Sequence, residues 1–396
     1  MKIIKIIFVF LMLLFLGYLI KKIYLLKDIK ENQHMLAELN DKQDTHLDGL
    51  AKLDPDVDKS LTVVKEGFFG SSTINSEYKS VTNSNVIAGI TNSININLPI
   101  KEYCIKASYN SALTGSYINL DMIKYVLSRG CRFLDFEIYS FDNVPYVAYS
   151  TDNTFSNIKT LNKLPLKDVL ESVVINGFNA PSPNPKDPLF IHLRIKTNNN
   201  KLYEQIALIV DVTIKQKLYK SKLSPNTYLS DLMNKIILII DKKLTPDYAE
   251  YPECIKNCIS SNNILLMNSS CPNCYSLKNY VNAESGTSIM RIYNYSYIID
   301  QSYTSPEVMD DGKSTTVDSI KIVLPDNGTN LMGIVRNPSY YNLPSNYGVQ
   351  IVLYPFYQND MYLNQYEEAF SDNSTAFVPL YMMLKYVNQV TNSLQG

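Results

Sequence analysis

Residues 130–139 have the sequence GCRFLDFEIY, in which two carboxylates, Asp135 and Glu137, lie among large apolar side chains. A β-strand projects alternate side chains to opposite faces, so residues two apart share a face. Apolar neighbours on both faces predict a strand that is buried on both sides, as in a parallel sheet. Two buried carboxylates on one face repel each other unless a cation lies between them. This stretch therefore predicts both a parallel sheet and a cation at its acidic pair.

Apolar runs and amphipathic segments alternate along most of the chain after residue 98. Strand and helix patterns that alternate in this way are typical of a parallel α/β sheet or barrel. Gly130 provides a stop for the helix predicted just before the acidic strand. Strands are predicted at residues 103–108, 133–139, 144–149, 189–195, 235–241, 319–324, 348–354 and 376–380, and helices at 121–129, 166–175 and 203–215.

Charge and histidine content restrict the possible functions. The net charge is −1 and no long basic stretch occurs, so nucleic-acid binding has no electrostatic support. Of the histidines, His34 and His46 lie in a polar segment near the N-terminus, and only His192 can belong to the folded body. A reaction that requires one histidine as acid and another as base is therefore disfavoured. The excess of Asn, Ile, Lys and Tyr is typical of an AT-rich genome, such as that of a protist or a large DNA virus.

The chain begins with an apolar segment. Residues 6–20 form an unbroken apolar run, with Lys5 at its edge, where the lysine stem can extend to a membrane interface. Counted from Ile3, the run is slightly short of a full span but lies within the roughly 17–25 residues usual for a transmembrane helix. Residues 1–22 are therefore predicted to be a single-pass transmembrane anchor. A cleaved signal peptide is the alternative, although no small-x-small cleavage site follows. Lysines flank the run on both sides and leave the side of the soluble body open.

Two cysteine pairs occur in a Tyr- and Asn-rich stretch. Cys254 and Cys258 are followed after twelve residues by Cys271 and Cys274. This spacing suits a zinc ion held by four thiolates, and it equally suits two disulfides. A cytoplasmic body would favour zinc, whereas a luminal or extracellular body would favour disulfides.

The order of the motifs resembles that of phosphoinositide-specific phospholipase C, in the X and Y halves of its barrel. The X-like motifs lie at residues 108–115, 130–137, 166–170 and 188–193, and the Y-like motifs at 347–352, 361–364, 370–373 and 377–380. The resemblance implies a TIM-type (β/α)8 barrel after the N-terminal transmembrane helix. The predicted parts are the anchor 1–22, a polar helical stalk and linker 23–97, an X-like half barrel 98–243, a Cys-containing insertion 244–318 and a Y-like half barrel 319–396.

The resemblance implies two catalytic histidines, and this chain has neither. Their positions fall at Tyr109 and Tyr149. Tyrosine has a reference pKa of about 10, which makes it a poor general base near neutral pH. The resemblance also implies an arginine that contacts substrate phosphate and a tyrosine beside it, and these positions are Ile322 and Leu324. Of two implied lysines after the fifth strand, one is replaced by Ile240 and the other is kept as Lys242.

The implied calcium ligands are changed at one position. Asn110 is kept, and the acidic pair is present in exchanged order as Asp135 and Glu137, but Arg194 replaces the remaining acid. A guanidinium can take the place of the ion and form a bidentate salt bridge, so calcium is not expected. In the alternative, Arg194 points elsewhere and the carboxylates bind a weaker cation. His192 shares a strand face with Arg194 and is expected to be a hydrogen-bonded core residue rather than a catalyst.

These observations predict a membrane-anchored, phospholipase C-like pseudoenzyme that acts as a binding or structural module at a membrane surface. Its expected partner is membrane lipid or a membrane-associated protein. Arg194 or Lys242 could bind phosphate without cleavage. One alternative is an active phosphoric diester hydrolase with a rewired site built on the same side chains. Another is a structural protein of a virion or surface, in which the barrel is only a scaffold.

Overall fold

The computed structural model describes a barrel and the helices around it. The described residues are 71–82, 97–150, 158–197, 199, 201–249, 275–309, 312–326 and 337–395. The strands are β1 (Tyr103–Ser108), β2 (Phe133–Phe141), β3 (Val144–Ala148), β4 (Leu164–Pro165), β5 (Leu189–Lys196), β6 (Ile236–Asp241), β7 (Ala283–Ser285), β8 (Met290–Asn294), β9 (Ile320–Leu324), β10 (Ile351–Tyr354) and β11 (Phe377–Pro379). The helices are α1 (Ser71–Thr82), α2 (Leu120–Ser128), α3 (Leu166–Gly177), α4 (Lys201–Thr213), α5 (Leu229–Leu232), α6 (Tyr295–Ile299), α7 (Asn342–Tyr347), α8 (Met361–Asp372) and α9 (Leu380–Gln395).

Eight parallel strands follow one another in the order β7-β6-β5-β2-β1-β10-β9-β8. The two ends of this order are joined by a short turn, in which the Gly286 amide donates to the Met290 carbonyl at 2.9 Å. Strands β3 and β4 extend the sheet beside β2, and β11 pairs with β1, all antiparallel. The carboxyl ends of the eight parallel strands therefore meet at one end of a nearly closed barrel.

The barrel strands form because their sequences are apolar and rich in β-branched residues. Strand β6 has the sequence IILIID, strand β5 has LFIHLRIK, and every residue of both is buried. One face of each strand fills the barrel and the other packs against helices, so apolar and polar residues do not alternate. At the start of α2, the Asn119 side chain accepts from the Asp121 amide at 2.8 Å. At the start of α8, Asp360 accepts in the same way from Leu363 at 2.9 Å.

A buried ion cluster links the first barrel strand to α8. Lys106 on β1 and Arg129 after α2 both pair with Glu367 on α8. Lys106 Nζ lies 3.2 Å from Glu367 Oε1, and Arg129 Nε donates to the same oxygen at 2.9 Å. All three residues are buried, so the carboxylate compensates two cations that have little access to water.

Arg132, just before β2, is fully buried and holds the segment that leads into β5. Its guanidinium donates to the Gly177 carbonyl at 2.7 Å and to Ser182 Oγ at 2.6 Å, and it also contacts the Asn184 carbonyl. The nearby carboxyl of Asp187 is buried, and its Oδ2 has no hydrogen-bond partner. Burial raises the pKa of Asp187 to about 6, despite the opposing effect of the Arg132 charge.

The predicted parallel barrel is confirmed, and each strand and helix that the sequence predicts after residue 98 is present within a few residues of its predicted bounds. Strands β7 and β8 lie within residues 244–318, which the sequence assigns to an insertion. These strands pair with β6 and β9, so the sheet extends into that stretch. They are three and five residues long, too short to give a recognisable pattern in the sequence.

Several sequence predictions concern residues outside the described ranges. These are the anchor at 1–22, most of the stalk and linker at 23–97, and the four cysteines Cys254, Cys258, Cys271 and Cys274. Within the described ranges, none of the helices combines the length and the apolar content required to cross a bilayer.

Candidate functional site

The acidic strand β2 and its parallel neighbour β5 face each other in a register that places acids beside cations. Residues two apart on each strand share a face, so three successive pairs project to the same side of the sheet. The facing pairs are Asp135 with His192, Glu137 with Arg194, and Tyr139 with Lys196. All six side chains are buried, and the last pair lies nearest the carboxyl end of the barrel.

The Arg194 guanidinium lies between the two carboxylates of β2. Its Nε and Nη2 donate to Asp135 Oδ1 and Oδ2 at 2.9 and 2.7 Å, and its Nη1 donates to Glu137 Oε1 at 2.7 Å. Nη2 also lies 3.2 Å from the side-chain oxygen of Asn110. Arg194 thus contacts the three side chains that the sequence assigned as remnants of a calcium site. A bidentate pair of this kind is among the strongest charge-assisted arrangements in proteins.

The second oxygen of Glu137 has its own donors. Tyr139 donates its hydroxyl to Oε2 at 2.8 Å, and Lys196 Nζ lies 2.9 Å from the same oxygen. The Ser150 amide approaches it at 3.3 Å. With Arg194 and Lys196 as cations and Asp135 and Glu137 as anions, the inner group is balanced in charge.

The electrostatics agree with this geometry. Burial by itself would raise the pKa of Asp135, but the Arg194 charge and hydrogen bonds from His192 and Arg194 hold it well below the usual range. Burial likewise opposes the charge on Arg194, but the Asp135 and Glu137 carboxylates keep its pKa well above the usual value. Both partners are therefore ionised at neutral pH.

This donor set does not fit a calcium ion. Calcium takes six to eight oxygen ligands. Here the oxygens of Asp135 already accept from Arg194, from His192 and from the Asn110 amide, and those of Glu137 accept from the donors named above. A divalent cation would also be placed against a fixed guanidinium. Within the described ranges, no group of three or more His, Cys, Asp or Glu side chains could hold a metal ion.

His192 belongs to a hydrogen-bonded chain inside the barrel. Its Nδ1 lies 2.9 Å from Asp135 Oδ1, and its Nε2 lies 2.8 Å from the Ser285 hydroxyl on β7. The order serine, imidazole, carboxylate is that of a serine nucleophile with its base. However, all three residues have 0% exposure, and Arg194 holds the carboxylate. The chain therefore serves packing, because no substrate carbonyl can approach the hydroxyl.

Tyrosines cover the ion pair. The Tyr109 ring lies over Arg194, with 4.7 Å from the guanidinium carbon to the ring centroid, and its edge meets Tyr149 at 6.3 Å between centroids. Burial raises the pKa of Tyr109 well above its usual value, and it raises the pKa of Tyr149 and of the nearby Tyr357 as well. At neutral pH these phenols are therefore uncharged, and they can donate hydrogen bonds but cannot accept a proton as a base.

Three polar atoms around the ion pair are buried and have no protein partner. They are Asn110 Nδ2, the Tyr149 hydroxyl and the Tyr357 hydroxyl. Asn110 has a φ of +42°, a left-handed conformation that asparagine tolerates better than most residues. The turn after β1 thereby directs the Asn110 amide hydrogen to Asp135 Oδ2 at 3.1 Å.

Lys242 does not join this group. Its Nζ pairs with Glu284 Oε2 at 2.7 Å, and Tyr248 donates to the other oxygen of that carboxylate at 2.6 Å. The lysine charge is therefore already compensated. Ile240 and Ile322 are buried apolar residues.

The structure thus brings together most of the residues named from the sequence and adds others to them. Those brought together are Tyr109, Asn110, Asp135, Glu137, Tyr149, His192 and Arg194. Those the sequence analysis missed are Tyr139, Lys196, Ser285 and Tyr357. The spacing of Lys196, two residues after Arg194 on one strand, could have revealed it. Ser285 and Tyr357 are distant in sequence from the other residues of the site, and no sequence pattern identifies them.

The nearly closed parallel barrel, with an acidic pair on its second strand, resembles the barrel of phospholipase C. Residues 96–243 match the family model described as phosphatidylinositol-specific phospholipase C, X domain. No curated protein sequence matches the chain.

Solved structures resemble this one at low sequence identity. L. pealei PLC21 has a TM-score of 0.51 and 15% identity, with 75% of this chain and 39% of that chain covered. S. officinalis PLC21 has a TM-score of 0.49 and 14% identity, with 76% and 39% covered. A calcium-dependent phosphoinositol-specific phospholipase C from Pseudomonas sp. has a TM-score of 0.37 and 12% identity, with 75% and 100% covered. The chain spans about two fifths of each PLC21 protein, and at this identity the likeness to L. pealei PLC21 shows the fold alone.

Proposed function

We propose that this protein is a membrane-anchored, phospholipase C-like pseudoenzyme in which Arg194 permanently takes the place of the metal ion. The observation that carries the proposal is the contact of one guanidinium with both carboxylates of β2, at 2.7–2.9 Å. The barrel then acts as a binding or structural module at a membrane surface. Its partner would be membrane lipid or a membrane-associated protein.

Loss of catalysis follows from the proton chemistry of the site. Cleavage of a phosphodiester requires a base for the attacking hydroxyl and an acid for the leaving group. Tyr109 and Tyr149 cannot act as bases, because burial raises their pKa values above the usual 10. His192 is enclosed between Asp135 and Ser285 and has 0% exposure. The guanidinium of Arg194 cannot be deprotonated in a protein.

The metal replacement is tested by calorimetric calcium titration of the full chain. The wild-type protein should bind no calcium. Arg194→Glu, which replaces the cation with a potential ligand, should create a site that disappears in Arg194→Glu/Asp135→Asn. Arg291→Glu is the matched control, because Arg291 is about two-fifths exposed in a surface ion pair and its substitution should create no site. Tight calcium binding by the wild-type protein that is lost in Asp135→Asn would contradict the proposal, whether or not Arg194→Glu folds.

The rival function is an active phosphodiesterase, and a turnover assay distinguishes the two. The purified full chain is incubated with phosphoinositide and glycerophosphodiester substrates in the presence of calcium. No turnover above a no-protein control is expected. Turnover that is abolished by Asp135→Asn, but not by Asp142→Asn in the exposed β2–β3 turn, would establish a working site.

The membrane anchor is tested by extraction. Membranes from cells that express the full chain are washed at alkaline pH, which removes peripheral proteins. The full chain should stay with the membranes, and a chain without residues 1–22 should be released. Release of both would contradict the anchor, and retention of both would place the membrane contact elsewhere in the chain.

A further inference from the structure

The end of the barrel opposite Arg194 carries a group of lysines, although the whole chain has a net charge of only −1. They lie at the amino ends of β5, β6 and β7 and in the segment that follows α4. We define this basic face as Lys186, Lys217, Lys220, Lys222, Lys235 and Lys278.

Backbone contacts bring these lysines together. The Asn234 amide donates to the Lys186 carbonyl at 2.7 Å, and Lys217 Nζ donates to the Asn234 side chain at 2.9 Å. The Ile236 amide, next to Lys235, donates to the Lys217 carbonyl at 2.8 Å. Lys222 Nζ donates to the Lys278 carbonyl at 3.2 Å. These contacts join Lys186, Lys217 and Lys235 in one group and Lys222 and Lys278 in another, and Lys220 lies between Lys217 and Lys222 in the chain.

Among the residues that the structure describes, the lysines of this face lack ion pairs, although the exposed Asp231 lies in the segment just before Lys235. In the described part of the chain, none of the six lysines forms an ion pair with an acid. Asp211, the acid at the end of α4, forms an ion pair with Lys215 at 2.6 Å and accepts a hydrogen bond from the Tyr280 hydroxyl at 2.6 Å. By contrast, Lys196 and Lys242 near the carboxyl end of the barrel pair with Glu137 and Glu284.

Exposed apolar side chains occur on the segments that lie next to the lysines in sequence. Ile175 is 61% exposed, Val212 62% and Tyr228 46%. Ile175 lies three residues before Phe178, whose ring is 4.8 Å from Lys217 Nζ. Val212 follows Asp211, and Tyr228 begins the short segment that leads through α5 to Lys235. A surface that combines lysines with protruding apolar groups suits the interface of an anionic bilayer, where headgroups meet the cations and the apolar groups enter the acyl boundary.

We infer that the basic face docks on an anionic lipid surface, with the Arg194 end of the barrel directed away from that bilayer. A nucleic acid would pair its phosphates with the lysines but would offer no apolar surface to the exposed side chains of Ile175 and Val212. An anionic bilayer offers both, so lipid is the better match. This inference is independent of the lost catalysis proposed above, since none of its residues lies near Arg194.

The test is lysine footprinting of the full chain, reconstituted into vesicles of phosphatidylcholine alone or mixed with phosphatidylserine. A membrane-impermeant acylating reagent labels accessible lysines, which are read by mass spectrometry. Lysines of the basic face should be labelled less in the anionic vesicles than in the phosphatidylcholine vesicles, since each lysine near an anionic surface favours binding by a factor of about five. Salt at about 1 M, where the Debye length is roughly 3 Å, should remove the protection. The exposed lysines Lys124, Lys201 and Lys385 should label equally throughout.

A charge reversal gives the matched variant. Lys186→Glu/Lys220→Glu/Lys278→Glu changes exposed side chains only and should abolish the protection of the remaining face lysines, whereas Lys124→Glu/Lys201→Glu/Lys385→Glu should leave it intact. Equal labelling in both vesicle types would overturn the inference. So would stronger protection of the same lysines by a polyuridine RNA than by anionic vesicles, which would assign the face to nucleic acid.

Discussion

Arg194 holds both carboxylate oxygens of Asp135, at 2.9 Å from Nε and 2.7 Å from Nη2, although the residue opposite Arg194 in the sheet is Glu137. The side chain therefore leans towards the amino end of β2 and uses its third nitrogen for Glu137 at 2.7 Å. One cation thereby neutralises much of the charge on two acids that would otherwise repel each other in a buried site.

Removal of the guanidinium should strongly destabilise the fold. In Arg194→Ala two buried carboxylates lose their main partner, and we expect a loss of about 3–5 kcal/mol in the free energy of unfolding. Urea denaturation measures it, with Arg291→Ala as a control expected to cost at most about 1 kcal/mol, because its ion pair is exposed. Arg194→Ala/Asp135→Asn/Glu137→Gln should recover part of the loss. Equal effects of Arg194→Ala and Arg291→Ala would mean that the buried pair contributes nothing.

Acid should destabilise the protein through Asp135. Its folded pKa lies below the unfolded value of about 3.9, so the ion pair contributes its full stability above about pH 4 and loses it as the pH falls through the folded pKa. Unfolding free energies measured between about pH 5 and pH 2 should fall more steeply for the wild type than for Asp135→Asn. Equal slopes would show that the pKa of Asp135 is not lowered in the folded protein.

Two adjacent glutamates on α8 should differ sharply. Glu367 compensates Lys106 and Arg129 in the buried cluster, whereas Glu368 is exposed. Glu367→Gln should cost about 3–5 kcal/mol, because it leaves two buried cations without their anion. Glu368→Gln should change stability by no more than about 0.5 kcal/mol. Chemical denaturation of the two variants in parallel gives their free energies of unfolding. Similar values for the two variants would contradict the assigned role of the cluster.

Asp187 should have the opposite pH dependence. Its folded pKa of about 6 lies above the unfolded value, so the folded state binds more protons between about pH 4 and 6 and stability falls as the pH rises through that window. Asp187→Asn should therefore stabilise the protein at pH 7.5 by about 2 kcal/mol and flatten this part of the curve. Thermal or urea unfolding across the window measures it. A variant less stable than the wild type at pH 7.5 would show that Arg132 requires the charge.

The barrel could be predicted because most of its strands have a recognisable pattern in their own sequence. Strand β6 is continuously apolar, and β2 carries its acids at the spacing of a strand. Strands β7 and β8 could not be predicted in the same way, because their identity depends on pairing with β6 and β9 and not on their own sequence.

The site could be predicted where neighbouring strands supply it. Asp135, Glu137 and Arg194 lie on strands with clear patterns, so a resemblance to the family placed them together. The Ser285 contact with His192 joins residues 93 positions apart through a three-residue strand, and Tyr357 reaches the site from the loop after β10. No local pattern encodes such long-range contacts. The lysines of the basic face likewise lie far apart in sequence and gather only when the strands align.

A chelator can strip an ion from an enzyme, and a cell can raise or lower the supply of that ion within seconds. Neither event can reach a charge that is covalently attached to the chain. The balance between Arg194 and its acids is set when the protein folds and does not depend on the supply of a metal ion.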